Sequence, residues 1–452
     1  MAATLMMSTM PLRAGHFRVL ATASLGQLIG TALATTVGVV IPLMQIVGHP
    51  ELSAAMQGLI GSANLVGIAV GSAVLGPLAD RIGYLQVFRA CPLLILAAAL
   101  VSIFFPALPV LLVCLFAMGF GIGGEYSLDS GYVSEVMPLR WRSTMVGVAK
   151  AACALGNIIA AAVCFLVLSG GLSPAHWPQL MWIIAVIAAV MFLSRLRFVQ
   201  SPLWLLEHGR KQQAEVAAER LLGPDVRITA AAVTQPSKAA ARSVSTFAFI
   251  RANWRRVVLS GIPWACEGLG VYGIGVFLPV LVAALGLERF TPGMPPVDHV
   301  TLSVRITLWI SCIILPGFVL GLVLLHRRAR PARLQTWGFL LSCASLVLLL
   351  VSFTRGWADW ITIGAFMAFE LFLNMGPHLV TYVLPAAIYP VDCRAQGSGI
   401  AACIGKIGAV LGVFFMPVLL HAGGMHLVLI VSASVMLLGA LVTAAFSPKA
   451  NK

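Results

Sequence analysis

Polar and apolar residues along this chain do not alternate at a helix or strand period; they separate into long apolar runs and short charged breaks. The run LLILAAALVSIFFPALPVLLVCLFAMGFGI, from Leu93 to Ile122, carries no charge at all. A helix of a soluble protein keeps one polar face. A helix apolar on every face and about 20 residues long matches the hydrocarbon thickness of a bilayer, where no water can satisfy an open backbone group. Twelve such windows are read, at 18–45, 56–79, 86–106, 108–137, 143–169, 176–198, 254–286, 302–326, 334–354, 358–389, 395–421 and 425–447. The only long polar interruption, 199–253, contains EHGRKQQAEVAAERL and divides the windows six and six. The pattern predicts an all-α polytopic membrane protein with an amino-terminal six-helix bundle over 1–198, a cytoplasmic linker over 199–253 and a carboxy-terminal six-helix bundle over 254–452. The first span is too long and too poorly flanked for a cleaved signal peptide.

Composition agrees, with 60% of the 452 residues hydrophobic and 10% charged. The net charge of +14 would suit a nucleic-acid binder, so its placement decides. Arg13, Arg18, Arg81, Arg89, Arg140, Arg142, the basic residues of 195–256, Arg327, Arg328, Arg330, Arg333, Arg394, Lys449 and Lys452 fall on one side of a twelve-span chain. The other side holds only Arg289, Arg305 and Arg355, near span ends. Cytoplasmic loops carry such an excess. Both termini and the loop between spans 6 and 7 are therefore expected in the cytoplasm, and no nucleic-acid partner is implied. The nine cysteines lie in or at the ends of spans, with no CxxC and no ligand-like histidine spacing. They read as small packing residues, and no metal site is expected. The outer loops are short and hold no N-x-S/T acceptor, which fits a bacterial inner membrane better than a eukaryotic surface.

The two halves repeat. At an offset of 252, Gly124 maps onto Gly376, Pro138 onto Pro390, Arg142 onto Arg394, Gly147 onto Gly399 and Gly156 onto Gly408, without a gap. Duplicated six-span halves describe a rocking transporter with its site near the midplane between them. GPLADRIG (Gly76 to Gly83) resembles the loop 2–3 motif of the major facilitator superfamily, SE followed by PLRWRS resembles its span 4–5 signature, and VQSPLWLL (Val199 to Leu206) is similar to the segment after span 6 in its sugar-porter, phosphate-symporter and organic-ion branches. Within those branches GGEYSL, FLNMGPHLVTY and IGKIGA are most similar to the phosphate:proton symporter pattern. The resemblance implies a monomeric secondary transporter in the lipid bilayer, moving a small-molecule solute with the proton gradient as its energy source and no cofactor.

By the same resemblance Asp80, Arg81, Glu135 and Arg142, with Arg394 in the second half, form the cytoplasmic gate; topological anchoring and helix capping are the plainer alternative. The second half departs from the family here. Ala387 stands at the repeat position of Glu135, and no acid lies between Gly321 and Gln335. Tyr84 and Leu85 also replace the basic pair that usually ends the loop 2–3 motif. The latch is therefore expected to rest on the amino-terminal half.

Glu125 and Asp129 lie ~15 and ~9 Å deeper than Glu135, at 1.5 Å per residue, and share a helix face. Ionisable groups at that depth almost always face a cavity or a partner. They are candidates for proton coupling, with structural hydrogen bonding to span 1 or 2 as the alternative. Glu267 and Glu370 are the other two coupling candidates. In span 7, Trp264, Gly268 and Tyr272 are spaced four apart, and the phosphate symporters carry an acid where Gly268 stands. Glu267 is one residue away and points about 100° aside, which leaves two readings: Glu267 takes over by helix rotation, or the coupling acid has moved. Span 10 carries Glu370, Asn374, His378 and Tyr382 as a polar stripe. Tyr126 is the repeat partner of His378. Lys406 in span 11 suits an anion, whereas Lys150 lies shallower and has the reach to snorkel to the cytoplasm. Gln27, Thr31 and Thr35 give span 1 a neutral polar face. Solute-binding candidates are accordingly Lys406, His378, Tyr126, Trp264, Tyr272, Asn374, Gln27 and Lys150.

Three functions share these residues: a proton-coupled importer of a small anion, an efflux antiporter for cationic or amphipathic compounds using the same acids, and a transport-dead sensor. No H-E-x-x-H and no nucleophile paired with a base lies in a span, so the residues do not suggest an enzyme.

Overall fold

In the computed structural model the described residues are 5–6, 10–47, 52–138, 140–227, 246–285, 294–327, 329–389 and 394–447. The first half holds α1 (Ala14–Ile46), α2 (Ala54–Ile82), α3 (Tyr84–Phe104), α4 (Leu108–Val136), α5 (Arg142–Ser169) and α6 (Trp182–Arg195), the last entered through a 3-10 turn at Pro174–Met181. Two short helices, α7 (Pro202–Glu207) and α8 (Lys211–Leu222), follow in the segment expected to be a polar linker. The second half holds α9 (Thr246–Gly268), a π-helical segment (Leu269–Ile274), α10 (Leu278–Ala284), α11 (Pro296–Cys312), α12 (Ile314–His326), α13 (Pro331–Arg355), α14 (Asp359–Met375), α15 (Pro377–Ile388) and α16 (Arg394–Phe446). Proline opens several of these helices, at Pro202, Pro296, Pro331 and Pro377. At that position its missing N–H leaves nothing unpaired. Two residues of strand, β1 (Leu5–Met6) and β2 (Val226–Arg227), pair in parallel.

Eleven helices among the described residues are long and apolar enough to cross a bilayer, one fewer than the twelve windows read from the sequence. The difference lies in the last, Gly399–Phe446, whose 48 residues form one continuous run. At 1.5 Å per residue that is ~72 Å, more than twice the hydrocarbon thickness. Its backbone breaks at Gly423 and Gly424, and Gly424 sits at φ +61°, where a side chain would be strained. The run therefore holds two crossings, matching the windows 395–421 and 425–447.

By its internal contacts the chain forms two compact units, one of residues 1–30, 66–153 and 184–242 and one of 31–65, 154–183 and 243–452. The first unit has an aromatic core. The Tyr132 ring lies 5.6 Å edge-on from Phe88 and 5.0 Å from Phe198, and its hydroxyl donates to the Val199 carbonyl at 2.9 Å. Leu222 and Val226, at the end of α8 and in β2, are buried in the same cluster, so the segment after span 6 is packed rather than bare. In the second unit the carboxy-terminal part of α1 meets the segment after the π-helix, and α2 meets α16. A Cβ at Gly38 would overlap the Val276 carbonyl oxygen, and one at Gly58 the Phe414 carbonyl oxygen. Only glycine permits that approach.

Two outcomes follow. Gly38→Val adds a side chain where there is no room, and such overpacking costs about 1–3 kcal/mol; a lower melting temperature in detergent is the expected reading. At the base of the first unit, Arg13 forks onto Asp225 at 2.6 and 2.5 Å and donates to the Leu222 carbonyl at 2.8 Å. The guanidinium holds the Asp225 carboxyl down at about 2, below its ordinary 3.8. A depressed carboxylate contributes stability above its unfolded value and loses it as pH falls through the folded one. The tie should therefore stay constant above pH ~4 and be lost between pH ~4 and ~2, read as faster amide exchange around Arg13 and Val226.

Candidate functional site

Most of the sequence-predicted polar residues fall into two clusters, one in each unit. In the first, Glu125 and Asp129 do share a face of α4, and it faces α1 so closely that a Cβ at Gly26 would overlap an Asp129 oxygen. The dominant partner is Arg195, the last residue of α6. Its guanidinium forks onto both oxygens of Glu125, one of them at 2.6 Å, donates to the Phe88 carbonyl at 2.9 Å and lies 4.6 Å from the Phe88 ring centroid. Asp129 lies 4.0 Å from the same guanidinium, and Gln27 is also its neighbour. Arg195 and Glu125 are both 0% exposed. Sequence reading had counted Arg195 among the cytoplasmic charges. The signal available was its position inside the apolar window 176–198, where a charge needs a partner.

Lys150 is 8% exposed, so it is buried rather than snorkelled to the surface. Its Nζ donates to Gln27 Oε1 at 3.4 Å and lies 5.5 Å from the centroid of Tyr126. Tyr126 in turn packs against α1, where a Cβ at Gly30 would overlap its hydroxyl. Of the remaining span 1 face, Thr31 and Thr35 are buried in the second unit, and Thr35 donates to Asn157 Oδ1 at 2.9 Å.

In the second unit, α9 gives way to the π-helical segment directly after Glu267 and Gly268. Wider π turns recur at functional sites, because one extra residue per turn changes which side chains share a face. Glu267 is buried and its Oε1 lies 3.7 Å from His378 Nε2. On the other side of the ring, Nδ1 lies 2.8 Å from Asn374 Oδ1, while Asn374 Nδ2 donates to Glu370 Oε2 at 3.2 Å and to the Glu370 carbonyl at 2.8 Å. Since Asn374 presents its oxygen to the ring, Nδ1 carries a hydrogen and Nε2 faces Glu267. Two buried carboxylates are thus linked through an amide and an imidazole, across the break between α14 and α15 at Gly376.

Lys406, half-buried on α16, donates to the Tyr272 hydroxyl at 3.5 Å and lies 4.8 Å from the ring centroid. Trp264 packs against Gly405, beside Lys406 in the chain, and meets the Tyr382 ring edge-on at 6.3 Å.

Of the gate residues, the side chains of Asp80, Arg81, Arg142 and Arg394 lie outside the described residues. Glu135 is described, and it accepts hydrogen bonds from the Tyr84 hydroxyl at 3.0 Å and from Ser201 Oγ. Tyr84 is the residue that replaces a base in the loop 2–3 motif, so that position contacts an acid through a neutral donor. Ser201 also caps α7, accepting from the Trp204 N–H at 3.3 Å.

Residues 11–451 match the sequence profile of the family described as sugar (and other) transporter. The chain is 29% identical over 444 residues to the inner membrane metabolite transport protein YgcS of Escherichia coli K12, covering 98% of this chain and 94% of that protein. It is 27% identical over 370 residues to the niacin transporter NiaP of Acinetobacter baylyi, covering 79% and 77%. Among solved structures, the xylose transporter XylE from E. coli in a partially occluded inward-open conformation superposes with a TM-score of 0.77 at 18% identity, over 96% of this chain and 98% of that one.

The Arg195–Glu125 pair generates a direct test. Removing one partner of a fully buried pair strands the other charge and costs about 3–5 kcal/mol, whereas replacing both by apolar residues of similar volume is often neutral. Arg195→Ala should lower the melting temperature of the purified protein far more than the double substitution Glu125→Leu, Arg195→Met.

Proposed function

The chain belongs to the sugar (and other) transporter family, and from that premise we propose that it is a proton-coupled symporter importing a small anionic solute by alternating access. It is a multi-pass membrane transporter rather than an enzyme, with the major facilitator superfamily fold. The observation that carries the coupling is the chain Glu267–His378–Asn374–Glu370. A proton placed between His378 Nε2 and Glu267 is held either as an ion pair or as a neutral pair, so the site can load and release it without leaving one charge alone in the bilayer. Glu370 is the second acid of the same chain. Glu125, engaged by Arg195, serves instead to hold α4 against α6.

The anionic solute is supported by Lys406 over Tyr272, with Trp264 and Tyr382 as apolar walls. In the first unit, Lys150, Gln27 and Tyr126 offer a second cation and neutral donors. A structural neighbour supports the proton coupling, and a relative supports the anionic solute. A solved structure with this fold is described as a D-xylose-proton symporter, and the similar NiaP is named for niacin, a carboxylic acid. Alternating access would open and close the glycine seams at Gly38 and Gly58. The protein would act as a monomer in a bacterial inner membrane, with both termini in the cytoplasm and the charge excess facing the same way.

The test is proton flux in proteoliposomes, using a panel of phosphate, mono- and dicarboxylates, sulfonates and organic cations. Anion-triggered proton entry is expected. Lys406→Ala should cut it by about 10- to 100-fold, the factor for losing a hydrogen bond to a charged group. Glu267→Gln should abolish proton-driven accumulation while solute exchange down its own gradient continues. Proton release driven by cations, with every anion silent, would overturn the reading in favour of efflux.

A further inference from the structure

A cavity of about 600 Å³ opens in the first unit where α3 begins, α6 ends and α8 crosses. Among the described residues its lining includes Arg89, Arg197 and Arg220 and no acid. Among the described residues no carboxylate forms an ion pair with any of the three arginines. None of them belongs to either polar cluster, so the symport reading leaves them unused. Arg89 is fixed in place: its Nη2 donates to the Leu196 carbonyl at 3.0 Å and its Nε to the Arg195 carbonyl at 3.4 Å, at the open carboxy-terminal end of α6. Arg197 and Arg220 are exposed.

Depth in the bilayer identifies the setting. Arg89 stands five residues into α3, ~7.5 Å along its axis. The headgroup layer on each side of the hydrocarbon is about 5–7 Å deep. The long Arg89 side chain is therefore within snorkelling reach of the headgroup layer at that end of α3, and Arg197 and Arg220 line the same cavity. The same cavity is partly apolar: Leu196 and Val216 line it and are 49% and 44% exposed. On α8, Gln212, Val216 and Arg220 are four apart, so one helix face presents an amide, an apolar side chain and a guanidinium to it. Guanidinium forks match phosphate oxygens, amides match glycerol hydroxyls, and exposed apolar side chains match the start of an acyl chain. A cavity of this volume, within the usual range for ligand pockets, holds far more than a bare ion.

We propose that this cavity is a binding site for a glycerophosphate group, supplied by the head of an anionic membrane lipid. It is a site on the transporter's flank, independent of the solute it carries. The arginines neutralise the phosphate, Gln212 contacts the polar head, and Leu196 with Val216 covers the first carbons of the chain.

The experiment is native mass spectrometry and thermal-shift titration of the full-length protein in detergent. Its arms are short-chain phosphatidylglycerol, short-chain phosphatidylcholine and free glycerol 3-phosphate. The variants are Arg197→Gln with Arg220→Gln, and separately Gln212→Glu; all three positions are exposed, and each variant is required to keep its ligand-free melting temperature. Phosphatidylglycerol should bind and stabilise the wild type, and the double variant should bind it about thirty-fold more weakly, about 2 kcal/mol, from two arginines near the membrane surface. Gln212→Glu should weaken it in the same direction by charge repulsion. Glycerol 3-phosphate binding as tightly, with the same loss in the variants, would keep the phosphate site but assign its ligand to the soluble phase. Equal binding of phosphatidylcholine, or phosphatidylglycerol binding indifferent to all these substitutions, would overturn the proposal.

Discussion

In the hydrocarbon of a bilayer a charged side chain has no solvent to return to, and each one that enters must bring its partner with it. The internal arrangement of this protein follows from that constraint. Arg195 forks onto both oxygens of Glu125, donates to the Phe88 carbonyl and lies beside Asp129. Lys150 is met by Gln27 and an aromatic face, Lys406 by Tyr272, and Glu267 by His378. These partnerships differ in length. The arginine–carboxylate fork is short, fully buried and joins α4 to α6. The Lys150–Gln27, Lys406–Tyr272 and Glu267–His378 contacts are longer, at 3.4, 3.5 and 3.7 Å.

The repeat organises this division. Tyr126 and His378 occupy equivalent positions in the two halves. In one half the position supports a buried lysine; in the other it bonds into a line of acids. One repeated position therefore meets a lysine inside the continuous helix α4 and a carboxylate just after the break between α14 and α15. The two positions differ in the neighbour each is set against: Lys150 on α5 in the first case, Glu267 on α9 in the second.

Much of this fold could be read from the residues, because the relevant signals are one-dimensional. An apolar run of sufficient length crosses the membrane whatever its neighbours do, and the offset of 252 is visible without coordinates. Gly423 and Gly424 mark the last turn between spans for the same local reason. Rotation about a helix axis is another matter. Whether Arg195 points to water or to Glu125, and whether Glu267 or Gly268 faces His378, depends on packing and on the π-helical segment, neither of which leaves a periodic trace. The i+4 spacing of Glu370, Asn374 and His378 did announce a shared face, and the structure brings them into one hydrogen-bonded line. Lys150 had two readings at the level of sequence, and only its contact with Gln27 chooses between them.

Tyr84 has a consequence that reaches beyond its own contact. Where the family's motif would set a full positive charge near Glu135, this chain sets a phenol, joined by the hydroxyl of Ser201. Attraction between separated ions is weakened by dissolved salt over a distance of about 8–10 Å at ordinary ionic strengths. A hydroxyl donating directly to a carboxylate acts only at contact and has no long-range field to screen. This contact therefore keeps its strength as salinity rises, but it cannot draw its partners together from afar. It trades reach for constancy, and its formation depends on the surrounding helices delivering Tyr84, Glu135 and Ser201 into register.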